Sequence, residues 1–326
     1  MARDEGIVPG SPHLGGGRAT PSFRLPDGAG SGLPDPPAPL QLGDLTLRWG
    51  ERTYVMGILN VTPDSFSGDG LLATDGDPVG RAVAAARAMV ADGADIVDVG
   101  GESSRPGHAP VDASEEIGRV VPVIEAIHTA LPGIPLSVDT IKPDVAGAAV
   151  EAGARLINDV WGVAADDRQL RLAAERGVPI VLMHNRAEAR YTNVVAEVLA
   201  DLQAAIERAL AAGIAWEAIL VDPGFGFGKT PEHNLAILRH LTELRLLGRP
   251  ILLGTSRKST LGRVLDLPPE ERVEATLATT ALAAAAGVDI VRVHDVRPNV
   301  RAARMADAIW RATPGAAGAR DEGVQP

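Results

Sequence analysis

Short apolar runs recur along the chain at regular intervals, and alanine-rich stretches with a helical period separate most of them. A continuous apolar run of this length is typical of a strand that is buried on both faces of a parallel sheet. The pattern therefore predicts eight strands that alternate with helices. The eight runs are Val55–Leu59, Ile96–Val99, Ile134–Val138, Leu156–Ile157, Val178–Met183, Ile219–Val221, Ile251–Leu253 and Ile290–Val293.

Eight strands and their helices, spread over about 270 residues, predict an α/β fold of the (β/α)₈ or TIM-barrel type. The helix between the third and fourth runs has the clearest ends, because Pro143 suits a first helical turn and Gly153 suits a helix stop. A doubly wound open sheet is the structural alternative, although it seldom has eight units spaced so evenly.

The two ends of the chain lack this pattern. Residues 1–42 are rich in Gly, Pro and Ser, and residues 314–326 resemble them. Such segments cannot bury enough apolar surface to offset the entropy of ordering, so we expect two disordered extensions. Residues 43–313 then form one barrel domain. Alternation on both sides of Trp49-Gly50-Glu51, between Leu45 and Gly57, predicts an N-terminal β-hairpin.

Composition narrows the classes of function. The chain has 326 residues, of which 45% are hydrophobic and 22% charged, so it can bury a sizeable core. Its formal net charge of -11 argues against non-specific binding of nucleic acid or of a membrane surface. The lack of cysteine excludes disulfides and thiolate chemistry. Without an apolar signal segment or a membrane-length apolar run, we expect a cytoplasmic protein.

Polar residues follow nearly every predicted strand. In a barrel of this type the chemistry lies at the carboxyl ends of the strands. One Asp or Asn at such a place is more often a helix cap or a turn residue, but a polar residue at all eight strand ends predicts a binding site. These residues are Asn60, Gly100-Gly101-Glu102, Asp139, Asn158, His184, Asp222, Ser256-Arg257-Lys258-Ser259 and Arg292-Val293-His294-Asp295.

The polar residues divide into two chemical groups. Asp139, Asn158 and Asp222 are short acceptors and amides that suit the edge of a heterocycle carrying N–H and amino groups. The second group supplies positive charge and donors for an anion such as phosphate or carboxylate, and it comprises Arg105, Arg257, Lys258, Arg292 and His294. Arg292 and His294 stand at alternate strand positions and therefore share one face.

The stretch Asp222–Thr230 resembles a nucleotide-binding P-loop, because it ends in Gly228-Lys229-Thr230. A P-loop needs glycine five residues before Gly228, but Pro223 stands there and has no N–H for a phosphate. We therefore exclude a P-loop protein and interpret Lys229 as structural. No zinc or calcium motif is present, so any metal would be Mg²⁺ held mainly by substrate phosphates.

Seven motifs, in matching order, resemble those of the dihydropteroate synthase family of pterin-binding barrels. They are Gly57–Ser67, Gly100–Gly107, Ser137–Thr140, Ile157–Val160, Asp222–Lys229, Ser256–Ser259 and Arg292–Asp295. The resemblance implies an enzyme of folate biosynthesis that joins 4-aminobenzoate to 6-hydroxymethyl-7,8-dihydropterin diphosphate, giving 7,8-dihydropteroate and diphosphate. It also implies Mg²⁺ as cofactor, a homodimer formed through barrel helices, and competition by sulfonamides.

The resemblance also assigns roles to individual residues. It places the pterin ring on Asp139, Asn158, Asp222 and Lys258, and the diphosphate on Asn60, Arg292 and His294, with Asn60 also near Mg²⁺. Loops that carry Phe66 and Ser104-Arg105-Pro106 would close over the site. Phe227, Lys258 and Ser259 would line the 4-aminobenzoate pocket, and Met183 is a further substrate-binding position. The implied catalytic residues are Asp139, Asp222, Lys258, Arg292 and His294.

Two other functions are compatible with a pterin-binding barrel. A methyltransferase that acts on methyltetrahydrofolate with a corrinoid partner would keep the ring-binding acids and amides. It has no need of a diphosphate site, so the first-strand loop, Arg292 and His294 argue against it. A non-catalytic paralogue that binds pterin is the second alternative, although every motif position here is chemically intact.

Overall fold

The chain folds as an eight-stranded parallel barrel preceded by an antiparallel hairpin, in a computed structural model that describes residues 35–62, 77–102, 110–164 and 166–311. The hairpin strands are β1 (Leu40–Leu42) and β2 (Leu45–Leu47). The barrel strands are β3 (Tyr54–Asn60), β4 (Ile96–Gly100), β5 (Leu136–Asp139), β6 (Leu156–Asp159), β7 (Ile180–Met183), β8 (Ile219–Asp222), β9 (Leu252–Leu253) and β10 (Ile290–Val293).

The barrel strands pair in the order β8-β7-β6-β5-β4-β3-β10-β9, and each pair is parallel. A parallel bridge between Val221 and Ile251 joins the two outer strands, β8 and β9. This bridge closes the sheet on itself, which confirms the predicted barrel and excludes the open sheet. Each of the eight apolar runs overlaps one barrel strand.

Helices connect the strands and cover the outside of the barrel. Those of the described segments are α1 (Pro78–Ala91), α2 (Ala113–Ala130), α3 (Pro143–Ala152), α4 (Asp167–Arg176), α5 (Val194–Ala211), α6 (Pro231–Arg239), α7 (Ser259–Leu265), α8 (Val273–Ala286) and α9 (Val296–Trp310). The ends of α3 are those expected, since Pro143 opens its first turn and Gly153 ends it with φ of 124°. No helix within these segments is long and apolar enough to cross a membrane.

Side chains inside the barrel form an apolar lower layer and a polar upper layer. Alternate strand residues face the same side, so each strand contributes an inward residue at every second position. Near the amino ends of the strands these residues are apolar and pack with Leu42 and Leu47 of the hairpin. They include Met56, Ile96, Leu156, Val181, Leu220, Leu252 and Ile290. The hairpin therefore covers the amino-terminal end, and the polar layer lies towards the opposite end.

The position predicted for the hairpin was wrong. Its strands pair Leu40 with Leu47 and Leu42 with Leu45, so the turn lies at Gly43 and Asp44. The segment Trp49–Glu51 instead leads into β3, because Tyr54–Asn60 pairs in parallel with β10 and β4. Parallel pairing on both sides leaves β3 no edge for an antiparallel partner.

The ordered hairpin begins before residue 43, where the barrel domain was predicted to start, because β1 lies at Leu40–Leu42. Its Leu42 and Leu47 are fully buried, which the Gly- and Pro-rich composition of the preceding residues did not indicate. Residues 1–34 and 312–326 lie outside the described residues, so the disorder expected of both extensions stays a prediction.

Candidate active site

A largely buried arginine connects the polar residues inside the barrel. Arg292 of β10 donates from Nε to Oδ2 of Asp98 and from Nη2 to Oδ2 of Asp139, both over 2.6 Å. Asn158 of β6 donates from Nδ2 to the same Asp98 oxygen over 3.1 Å. Bonds to ionised partners are roughly twice as strong as neutral ones, so this cluster fixes the directions of both carboxylates. Three predicted site residues, Arg292, Asp139 and Asn158, thus meet around Asp98.

Asp98 belongs to the site although none of the seven motifs and none of the predicted strand ends contains it. It is fully buried on β4, and its Oδ1 atom has no hydrogen-bond partner within the described part of the chain. The signal for it was a single charge inside the apolar run Ile96–Val99. Asp98 faces inward two residues before Gly100, the last residue of β4, so the polar residues that follow the strands do not include it.

Burial shifts the pKa values of the charged groups in this layer. Loss of hydration raises the pKa of Asp139 to about 7, against the attraction of Arg292. The same cause raises the pKa of Asp222, with Lys258 opposing it. Burial lowers the pKa of Lys258 to about 7, although Asp222 favours its charged form. The ionisation of each of these groups therefore depends on the charges of its neighbours in the layer.

Asp222 ends β8 and continues into a turn that only glycine allows. Its Oδ1 accepts the N–H of Gly224 over 2.6 Å, which orients the carboxylate. Gly224 has φ of 67°, and a Cβ added there would lie 1.7 Å from the carbonyl oxygen of His184. This region of φ is costly for other residues, and the backbone contact leaves no room for a side chain. The turn can therefore lie directly against the end of β7.

The side chain of Lys258 packs against this turn at the edge of the polar layer. Its ammonium donates to the carbonyl oxygen of Phe225 and stands 4.0 Å from the ring centre of Phe227. A Cβ on Gly226 would lie 2.7 Å from Cδ of Lys258, so glycine leaves space for the lysine side chain. The contact with the Phe227 ring is a cation–π interaction. Lys258 thereby joins Asp222 to the aromatic wall.

A cavity of about 540 Å³ opens above the polar layer at the carboxyl ends of the strands. Asp139 and Thr140 line one side, and Phe227 and Ser259 line another. Arg186, in the loop after β7, contributes to the rim. This volume lies within the range of small-molecule sites. The cavity therefore brings a predicted pterin residue and two predicted 4-aminobenzoate residues around one space.

The remaining predicted site residues lie at separate strand ends or outside the described residues. His294 contacts the hydroxyl of Ser256 through Nδ1 over 3.0 Å. Asn60 ends β3 in register with Gly100, and Met183 is buried opposite Asp222. Phe66, Ser104, Arg105 and Pro106 lie outside the described residues.

Arg257, one of the candidate anion-binding residues, forms an ion pair with Asp295. Its Nε and Nη2 atoms lie 3.1 and 2.7 Å from the two carboxylate oxygens. Such a bidentate pair uses the planar fork of the guanidinium to hold one carboxylate. The contact joins the end of β9 to the start of α9, which indicates a structural role.

The described residues offer few donors for a metal ion. Within the described residues, no group of three or more histidine or acidic side chains is arranged to hold a metal ion. Asn60 offers a single amide oxygen at the cavity end of β3. Mg²⁺ retains several waters and takes its other ligands from one or two protein oxygens and substrate phosphates. The donors therefore suit Mg²⁺ only together with a phosphate-bearing substrate.

Known proteins resemble this chain over most of its length. The family model described as "Pterin binding enzyme" matches residues 56–294. Dihydropteroate synthase of Bacillus subtilis is 51% identical over 263 residues, which cover 81% of this chain and 90% of the relative.

Two solved structures extend this comparison. A dihydropteroate synthase from Clostridium difficile, determined in the presence of pteroic acid, is 48% identical, with a TM-score of 0.77 over 81% of this chain and 99% of its own. The Xanthomonas albilineans enzyme with 4-aminobenzoic acid is 44% identical, with a TM-score of 0.76 over 82% and 96%. Together, these matches confirm the resemblance expected from the seven motifs.

We predict that Asp98→Ala lowers the free energy of unfolding by about 3 kcal/mol, because it leaves the buried Arg292 with one carboxylate fewer. Urea denaturation of the purified full chain measures this change. The matched control is Asp92→Ala, which breaks an exposed pair with Arg297 and is expected to cost about 1 kcal/mol or less. Equal losses in the two variants would contradict a special role for Asp98.

Proposed function

The chain belongs to the dihydropteroate synthase family, and we propose that it condenses 6-hydroxymethyl-7,8-dihydropterin diphosphate with 4-aminobenzoate to give 7,8-dihydropteroate and diphosphate. The reaction transfers the whole (dihydropterin)methyl group, from diphosphate to the nitrogen of an arylamine, and is a step of folate biosynthesis. The observation that carries the proposal is the polar layer around Arg292, which lies directly beneath the cavity that Phe227 and Ser259 line.

The polar layer matches the edge of a pterin ring. A dihydropterin presents ring N–H and amino donors next to a carbonyl acceptor. Asp139 and Asp222 accept from such donors, and the amide of Asn158 can both donate and accept. The buried Oδ1 of Asp98 lacks a partner among the described residues, and a donor from the ring or from an ordered water would satisfy it. Lys258 donates to the carbonyl side of the ring.

The charges of this layer favour the reaction that the substrates require. When the methylene–oxygen bond breaks, its electron pair leaves with diphosphate, and the methylene becomes a cation conjugated with the ring. Asp98, Asp139 and Asp222 bring three carboxyl groups to the layer in which this cation forms, and a cation there favours their ionised form although burial raises the pKa of Asp139 to about 7 and also raises that of Asp222. Fixed charges of this kind stabilise a cation without reorganising.

The new carbon–nitrogen bond forms by direct attack of 4-aminobenzoate. Its amine is neutral at pH 7, so the nitrogen lone pair attacks the methylene and the nitrogen then releases one proton. No protein nucleophile is needed, and the task of the site is to position two reactants and exclude water. We place the 4-aminobenzoate ring against Phe227 and beside Lys258 and Ser259, which line the cavity or its wall.

The departing diphosphate meets the positively charged side of the mouth. Arg292 uses Nε for Asp98 and Nη2 for Asp139, which leaves Nη1 for a diphosphate oxygen. We place His294 and Asn60 beside it at the neighbouring strand ends. Asn60 would also hold Mg²⁺ jointly with the diphosphate, and Mg²⁺, when bound, neutralises negative charge on the leaving group.

We also propose that the enzyme is a homodimer formed through α8 and α9. Leu282 of α8 and Met305 and Ile309 of α9 are 47%, 64% and 60% exposed, although all three are large and apolar. Exposed apolar groups that lie together mark interaction surfaces.

Light scattering should give a dimer mass that Met305→Glu lowers towards a monomer, while a monomeric wild type would refute the proposal. A cytoplasmic location stays a prediction.

We predict that the purified chain releases diphosphate and forms 7,8-dihydropteroate when both substrates and Mg²⁺ are present. Removing Mg²⁺ with a chelator should lower the rate at least about tenfold, because the leaving group then carries more negative charge. Restoring Mg²⁺, but not Na⁺, should return the activity. Methyl transfer from methyltetrahydrofolate, or pterin binding without turnover, would instead identify one of the two alternative functions.

We predict that Asp222→Asn and Lys258→Ala each lower kcat/KM for the pterin diphosphate by about 100-fold or more, because each removes a charge from the reacting layer. Circular dichroism should show an intact fold in both variants. Glu151→Gln, in an exposed pair with Arg176, is the control and should retain full activity. Near wild-type activity in either site variant would refute the role of that residue.

A further inference from the structure

A chain of buried contacts runs from the outside of the barrel to the cavity. It begins at Asp201 on α5, whose Oδ2 lies 3.1 Å from Nε2 of His184. The other ring nitrogen of His184, Nδ1, lies 2.8 Å from the ammonium of Lys229. The side chain of His184 is fully buried between them. One carboxylate therefore reaches the glycine-rich turn after β8 through two intermediate side chains.

Lys229 fixes the shape of that turn. Its ammonium donates to the carbonyl oxygens of Gly224 and Phe227, each over 3.0 Å, and to His184. The carbonyl oxygen of His184, at 3.4 Å, is a fourth acceptor beside the Lys229 nitrogen. The N–H of Phe227 also donates to the Gly224 carbonyl over 3.1 Å, so the turn is tied at both ends. Lys229 thereby sets where the Phe227 ring stands.

Asp201 and Lys229 together determine the state of His184. Burial lowers the pKa of His184 to about 4, with the nearby charge of Lys229 as the next cause, so the ring is neutral at pH 7. Because the Asp201 carboxylate can only accept, the proton of the neutral ring resides on Nε2, and Nδ1 accepts from Lys229, whose pKa burial lowers to about 7. That proton is donated to Asp201. Removing Asp201 takes away this preference for one tautomer and releases the ring from its orientation.

We propose that Asp201 is a positioning residue for the second substrate, and that it acts through His184 and Lys229 to place Phe227 in the wall of the 4-aminobenzoate pocket. The inference rests on the proposed function for the identity of that substrate. Asp201 does not line the cavity, whereas Lys229 and Phe227 do. Asp201 can therefore affect the arylamine through His184 and Lys229, or through Arg186, which also lines the cavity and bonds to Asp201.

The same region offers a matched control. Arg186 binds Asp201 through Nε and Nη2, over 2.9 and 2.7 Å, and binds Glu197 through Nη1 over 2.7 Å. Both carboxylates lie on α5 and both are about one-third exposed. Only Asp201 also contacts His184. Glu197→Gln therefore weakens the hold on Arg186 but leaves the path to Lys229 in place.

The test compares steady-state kinetics of full-length variants with each substrate varied in turn. Asp201→Ala should raise KM for 4-aminobenzoate about tenfold while KM for the pterin diphosphate changes less than about twofold. Glu197→Gln should leave both values within about twofold of wild type. Asp201→Asn, whose amide oxygen still accepts from His184, should restore most of the loss. An unchanged KM for 4-aminobenzoate in Asp201→Ala, or an equal rise for both substrates, would overturn the proposal.

Two further measurements separate this proposal from the proposed function. The double variant Asp201→Ala/Lys229→Met should be no worse than Lys229→Met alone, because both changes break one path. Hydrogen exchange of the peptide containing Gly224–Lys229 should speed up in Asp201→Ala and stay unchanged in Glu197→Gln. This exchange does not depend on turnover, so an inactive wild type would refute the proposed function alone. Unchanged exchange in Asp201→Ala would refute the positioning role.

Discussion

The placement of Arg292 inside the barrel is the constraint on which the upper half of the molecule depends. A buried guanidinium is costly unless ionised partners surround it. Asp98 and Asp139 supply these partners from β4 and β5, and Asn158 extends the cluster to β6. The strands that carry them must therefore keep one register. The same pairing holds two carboxylates at the base of the cavity, with their charge available to a substrate.

Of the two layers inside the barrel, the apolar one stabilises the fold and the polar one carries the groups suited to chemistry. The lower layer is apolar, and the hairpin β1–β2 packs Leu42 and Leu47 against the inward residues of the barrel strands. Burial of these side chains supplies favourable free energy that the charged upper layer does not. The upper layer concentrates carboxylates and cations whose pKa values burial shifts towards neutrality. Perturbed groups beside a cavity are typical of functional sites.

The glycine-rich turn after β8 shows how local sequence and distant contacts combine. Gly224 allows the turn to approach the backbone of His184, and Lys229 then ties two of its carbonyl oxygens. From the sequence, Lys229 was interpreted as structural once Pro223 excluded a P-loop. That interpretation agrees with its contacts. The contacts of Lys229 also continue through His184 to Asp201 on the outside of the barrel, a residue that no motif contains.

Much of the fold followed from local pattern alone. Each of the eight apolar runs overlaps a strand, and Pro143 and Gly153 mark the ends of α3 as expected. These features depend on residues that are close in sequence, so periodicity and end signals suffice to predict them. The hairpin was misplaced because alternation near Trp49 does not reveal that β3 pairs in parallel with strands on both sides.

The sequence by itself determined the eight strands, the polar residues at their ends and the chemistry that those residue types suit. Only the tertiary structure decided which of them meet. Arg292 and Asp98 are 194 residues apart along the chain, yet their side chains bond over 2.6 Å. Asp98 looked like one charge in a buried strand until the register of β4 placed it beneath the cavity. Such contacts depend on the parallel pairing of β10 with β3, the last barrel strand with the first, and no local pattern encodes a contact between residues so far apart along the chain.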